Sequence, residues 1–168
     1  MAPLSRVSVE RVARCPFSLA FEYAAGFFRE AAGGGGEVGV PLRDLVPTLG
    51  GRLHEPVRIV AIKRPDGAEP GRAHDEFEVG WTAGTRFFPD FHGTLRLRIA
   101  SVEETLLTLQ GEYRPPFGAL GAAFDALIGR RIARATMGDL LDRLAQKMDE
   151  RQASLRAPAP ESASGTTA

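Results

Sequence analysis

The stretch GEYRPPFGALGAAFD, residues Gly111 to Asp125, joins two different periodicities. Ahead of it, TLLTLQGEY alternates, placing Leu107, Leu109 and Tyr113 on one face as a half-buried strand requires. Pro115 and Pro116 then end the ladder, because neither can donate a backbone hydrogen bond. Pro116 suits a position at or just before a first helical turn. From Phe117 to about Arg151 the apolar residues recur at three- and four-residue spacing. Leu120, Phe124, Leu127, Ile128, Ile132, Leu140, Leu141, Leu144 and Met148 form one stripe. The spacing thus predicts a corner at which a sheet strand releases the chain into a long helix lying across the sheet. Gly111 is expected where the last strand bends or is closely approached.

An unbroken helix of that length would span roughly 50 Å at about 1.5 Å per residue. That exceeds one small sheet, so a break near Gly129 or an overhanging end is expected. Asp139 and Arg143, four apart, read as an exposed helical ion pair.

Working outward, SRVSVERVA places Val7 and Val9 opposite Arg6, Ser8 and Glu10, which predicts an opening strand. CPFSLAFEYAAGFFREAA follows with Phe17, Phe21, Ala24 and Phe28 at helical spacing. This is one helix, or two split near Gly26, with Pro16 in its first turn and GGGG (33–36) as a flexible end. EVGVPLRDLV and VRIVAIKRPDG are candidate strands, and PDGAEPG a loose hairpin loop. DEFEVGWTAG sets Phe77, Val79, Trp81 and Ala83 against Glu76, Glu78 and Thr82. FHGTLRLRIA sets Phe91, Leu95, Leu97 and Ile99 against His92, Thr94, Arg96 and Arg98. Short connections between these runs favour an antiparallel meander, wet on one face and apolar on the other.

The 168 residues are expected to form one domain over 1–152, with a disordered Pro- and Ser-containing tail over 153–168. Equal numbers of basic and acidic residues, 21 each, argue against nucleic acid as a partner. No apolar run reaches the roughly 18–20 residues of a membrane helix, and the N-terminus lacks the apolar core of a signal peptide. A cytoplasmic location is expected, without integral membrane association. The lone Cys15 cannot form an internal disulfide.

The segment GEYRPPFGALGAAFDALIGRRIARATMGDLLDRLA resembles the C-terminal end of many proteins of the START-related, polyketide-cyclase-like superfamily (SRPBCC). VSVERVARCPFSLAFEYA resembles that superfamily's opening strand and helix. The resemblance is one of order and texture over roughly residues 5–150 and includes no catalytic signature. It implies an α+β helix-grip fold, in which a curved antiparallel β-sheet wraps around a long C-terminal helix. It also implies an apolar cavity between them. Some members carry lipids, hormones or polyketides, and a minority are enzymes.

The residues expected to face such a cavity are Phe77, Trp81, Phe91, Leu97, Leu109, Tyr113, Phe124 and Ile128. Their ordinary alternative role is a packed core. The expected ligand is a small hydrophobic molecule, lipid or polyketide-like, bound without catalysis. A cyclase or dehydratase using the same cavity is the alternative, with Asp125, Tyr113 and His74 as its first candidates. A scaffold with a filled core, acting through its surface, is the third reading.

No cofactor is expected, and no metal. His54, His74 and His92 fall in no metal-ligand spacing. Cys15, just before a helix N-terminus, is a candidate nucleophile in principle, but a small buried side chain is the expected role. Asp75, Glu76, Glu78 and Asp90 offer carboxylates, with Glu76 and Glu78 directed outward by strand alternation. The tetraglycine lacks the Lys-Ser/Thr of a phosphate loop. Arg96 and Arg98 with Arg130, Arg131 and Arg134 read as solvated faces.

Overall fold

The structure, a computed structural model, describes residues 5–41, 50–63, 74–83, 90–114 and 129–156. Six strands form one sheet: β1 (Ser5–Ala13), β2 (Glu37–Pro41), β3 (Arg52–Lys63), β4 (His74–Ala83), β5 (Asp90–Ile99) and β6 (Thr105–Arg114). Their spatial order is β1-β6-β5-β4-β3-β2, and each neighbouring pair is antiparallel. Among the described residues, two helices, α1 (Phe17–Glu30) and α2 (Arg130–Arg156), cover one face.

Strand alternation places the side chains as the pattern requires. Val7, Val9, Phe77, Val79, Trp81, Phe91, Leu95, Leu97, Leu107, Leu109 and Tyr113 are all buried, while Arg6, Ser8, Glu10, Thr82 and His92 are exposed. Ile99 departs from its expected face and is 54% exposed. It ends β5 beside the exposed turn of Ala100 and Ser101.

Helix α1 runs unbroken through Gly26, with Pro16 immediately before its first turn. Ala20, Tyr23, Ala24 and Phe28 form its buried face. It then widens into a π-helical turn, Ala31–Gly35, and Gly36 is extended. The tetraglycine is therefore no flexible linker. Gly36 accepts the amide of Val57, and a Cβ there would lie 2.5 Å from the Val57 carbonyl oxygen. Glycine is needed because the chain passes directly against β3.

The described part of α2 begins at Arg130 beside Gly129, and its 27 residues span about 40 Å. It continues to Arg156, past the tail boundary expected at Ala153, with Arg156 paired to Glu103. Ala133, Met137, Leu140, Leu141, Leu144 and Met148 supply its buried side, and Ile132 is half-buried. The corner at Pro115 and Pro116, the expected stripe from Leu120 to Ile128, and PDGAEPG lie outside the described residues.

Both edges of the sheet hold the same helix. On the β1 side, Arg11 pairs with Asp142 and the amide of Arg14 donates to Asp149 at 2.7 Å. On the β2 side, the amide of Gly39 donates to Asp139 at 3.1 Å, and Arg143 donates to the carbonyl of Glu37. In a flat sheet, β1 and β2 would stand roughly 24 Å apart at the usual strand spacing of about 4.8 Å. A helix with its side chains is only about 10–12 Å wide. Asp139 and Asp142 lie within one turn of it, so the sheet must curl to bring both edges to that turn. This is the helix-grip arrangement.

Candidate functional site

The inner face of the curled sheet is built in cross-strand rows. One row is Ile59, Trp81, Phe91 and Tyr113, each opposite the next in the ladder. The neighbouring row is Ala61, Val79, Gly93, Gly111 and Val7. The row beyond holds Phe77, Leu95, Leu109 and Val9. Two rows of large side chains thus flank a trough of small ones.

Phe91 lies along the trough. A Cβ on Gly93 or Gly111 would come within 2.6 or 2.7 Å of its ring tip. Trp81 stacks on Phe91 at 4.3 Å between ring centres. Phe77 meets α1 instead, stacked on Phe21 at 4.9 Å and tilted against Phe28 at 5.8 Å. Such aromatic pairs add about 0.5–1.5 kcal/mol each beyond their burial.

Six of the eight residues expected to line a cavity therefore share the inner face: Phe77, Trp81, Phe91, Leu97, Leu109 and Tyr113, each at most 4% exposed. Burial there suits both a packed core and a ligand site. Phe124 and Ile128, with the candidate Asp125, lie outside the described residues. His74 opens β4.

The polar candidates mostly resolve into pairs. Glu76 pairs with Arg96, and Glu78 with His92 at 2.7 Å, on the outer face. His54 pairs with Glu37. Among the described residues, no three His, Cys, Asp or Glu side chains are grouped to hold a metal ion. No described helix is long and apolar enough to cross a membrane. Arg130, Arg131 and Arg134 are exposed on α2.

Cys15 is fully buried, and burial first, then the charge of Asp149, pushes its thiol up to about 11. A thiol so placed is protonated at neutral pH and unsuited to nucleophilic attack. An aromatic disulfide reagent at neutral pH should therefore label native protein at least about a hundredfold more slowly than urea-unfolded protein. Equal rates in the two states would mean that Cys15 is open to solvent.

Asp139 corrects the sequence reading. It is no surface group: its side chain is 3% exposed. It accepts from Arg52 at 2.6 Å and from the amide of Gly39 at 3.1 Å, with the Arg143 Nε 3.2 Å away. One carboxylate thus ties α2 to β2 and β3. Its i,i+4 spacing to Arg143 was visible, but the other two partners stand 87 and 100 positions away.

Two hollows adjoin this framework. An open one of about 540 Å³ lies over Gly80, between exposed Arg58, Val60, Thr82 and His92, and touches Trp81 and Phe91. A smaller one of about 240 Å³ lies between the end of α1, β2 and α2, and has Ile59 in its lining.

Comparison with protein-family models and with curated proteins gives no match. Solved structures with a similar arrangement include the aromatase/cyclase Zhui from Streptomyces sp. R1128, at 15% identity and TM-score 0.40, covering 92% of this chain and 98% of that one. A conserved protein from Geobacillus kaustophilus is 14% identical with TM-score 0.47, covering 87% and 96%. Norcoclaurine synthase from Thalictrum flavum is 11% identical with TM-score 0.46, covering 93% and 89%. Likeness at these identities concerns the fold and transfers no residue role or activity.

Proposed function

We propose that the chain binds a small apolar molecule between the inner face of its sheet and the covering helices, without chemistry of its own. The observation that carries this is the inner face itself. The aromatic row of Ile59, Trp81, Phe91 and Tyr113 runs beside a row containing Ala61, Gly93 and Gly111, where the Phe91 ring fills the space above the two glycines and would turn aside to admit a ligand. A flat or elongated apolar ligand fits such a surface, and few polar groups are needed to orient it. Thr136 on α2 is fully buried, and its hydroxyl has no hydrogen-bond partner among the described residues. It would suit a single polar atom on the ligand.

Trp81 is the only tryptophan, so its emission reports on the inner row. A neutral apolar fluorophore, N-phenyl-1-naphthylamine, should brighten on binding and quench Trp81. Burying about 300 Å² of apolar surface contributes roughly 7 kcal/mol before ordering costs, so a Kd of about 10 μM is the tightest that burial alone supports. The same protein should be thermally stabilised by lipids or polycyclic aromatics. If the fluorophore does not bind and native mass spectrometry finds no bound species after lipid incubation, the interior is a filled core and the proposal fails.

A further inference from the structure

The smaller hollow has a composition that the apolar interior does not explain. It lies where the last turn of α1 and the π-helical turn meet β2 and α2. Phe27, Glu30, Glu37, Ile59, Arg143 and Lys147 line it. Its roughly 240 Å³ holds about eight water-sized groups. One lining residue, Ile59, is 3% exposed and stands directly opposite Trp81 in the ladder. The hollow therefore ends on Ile59, the β3 member of the row that continues through Trp81. Gly36 seats the chain against β3 at this point, since a Cβ there would also meet the Ile59 side chain at 3.4 Å.

The rim carries two cations one helical turn apart on α2, and they are held differently. Arg143 is committed to the framework through the carbonyl of Glu37 and the carboxylate of Asp139. Lys147 pairs with Glu30 at 3.0 Å, and the two side chains are 44% and 59% exposed. The hydrogen bond from Lys147, and then its charge, hold the Glu30 carboxyl below the usual carboxylate range. Exposed pairs of this kind are weak and exchangeable. The Glu37 carboxylate is engaged by His54.

We propose that this hollow is a port for amphipathic carboxylates. The ligand's carboxylate takes the place of Glu30 on Lys147, and its apolar tail passes Phe27 and Ile59 toward Trp81. This rests on the reading that the inner face accepts an apolar ligand, and it adds the chemical class of that ligand's head.

The test is displacement of bound N-phenyl-1-naphthylamine at neutral pH and fixed ionic strength by decanoate and by decan-1-ol, which share a tail. Decanoate should displace the probe at about threefold lower concentration, as one exposed ion pair allows. Lys147→Gln should abolish that preference and leave decanol unchanged. Glu30→Gln, which removes the competing carboxylate, should strengthen decanoate by about threefold and again leave decanol unchanged. Equal displacement by acid and alcohol, or a preference that survives Lys147→Gln, overturns the port while the apolar interior stands. A loss of acid and alcohol binding alike in Lys147→Gln makes the lysine structural and also overturns it. Failure of the probe to bind the parent protein removes both proposals.

Discussion

Gly111→Ala should destabilise the protein by about 3 kcal/mol or more, a large effect for one added methyl group. The Cβ would lie 2.4 Å from the carbonyl oxygen of His92, 2.6 Å from the Cα of Gly93 and 2.7 Å from the ring tip of Phe91. The ring can rotate away, but the first two atoms belong to the paired backbone of β5. Relief would require separating β5 from β6 in the middle of the sheet. Gly26→Ala is the control. It sits inside α1, a Cβ there meets nothing within 4 Å, and a gain of about 0.5–1 kcal/mol is expected. Urea melts of the two variants decide the matter. A Gly111→Ala midpoint equal to the parent's would mean that the strands are not packed as closely as described.

Asp139→Ala should cost about 3 kcal/mol, in the range seen when one member of a buried ion pair is removed. The loss strands the amide of Gly39 and leaves Arg143 beside an apolar methyl group. Arg52 is half exposed, so water recovers its share and it adds little. Asp139→Asn keeps an acceptor for Gly39 and should cost less. The effect should also be local, with faster amide exchange at Gly39 than in β5 or β6, because β2 loses one of its attachments to α2 while the bond from Arg143 to the Glu37 carbonyl stays. Uniform exchange throughout, with no change in melting temperature, would show that the carboxylate does not hold the edge.

These two residues mark different limits of sequence reading. Gly111 was legible as a place of bending or close approach, since it interrupts an otherwise regular strand just before two prolines. Its partner Gly93 was not, because only the β5–β6 register sets the two glycines opposite each other. Asp139 was legible as half of a helical pair and misplaced to the surface. Its neighbours Met137, Leu140 and Leu141 gave a hint, but a carboxylate becomes internal only when an arginine and an amide from other strands reach it. The port is a further step removed. Phe27, Ile59 and Lys147 lie on three separate elements, and no spacing relates them. Six of the expected lining residues occupy the inner face by simple alternation, where a packed core and a ligand site look alike.

By itself, then, the sequence determined most of the local periods: which strand residues face inward, Ile99 apart, that each helix has an apolar side, though Ala20 and Tyr23 rather than Phe17 and Phe21 are buried on α1, and that the sheet should be antiparallel. Those properties depend on neighbours two to four positions away, and side-chain geometry enforces them wherever the element packs. Only the tertiary structure decided how far the sheet curls, that β1 and β2 seize one helix from opposite sides, and that Asp139 is buried between them. Contacts such as Arg11 to Asp142 join residues 131 positions apart. They exist because bending brings two edges together, and bending is a property of the whole sheet rather than of any segment in it.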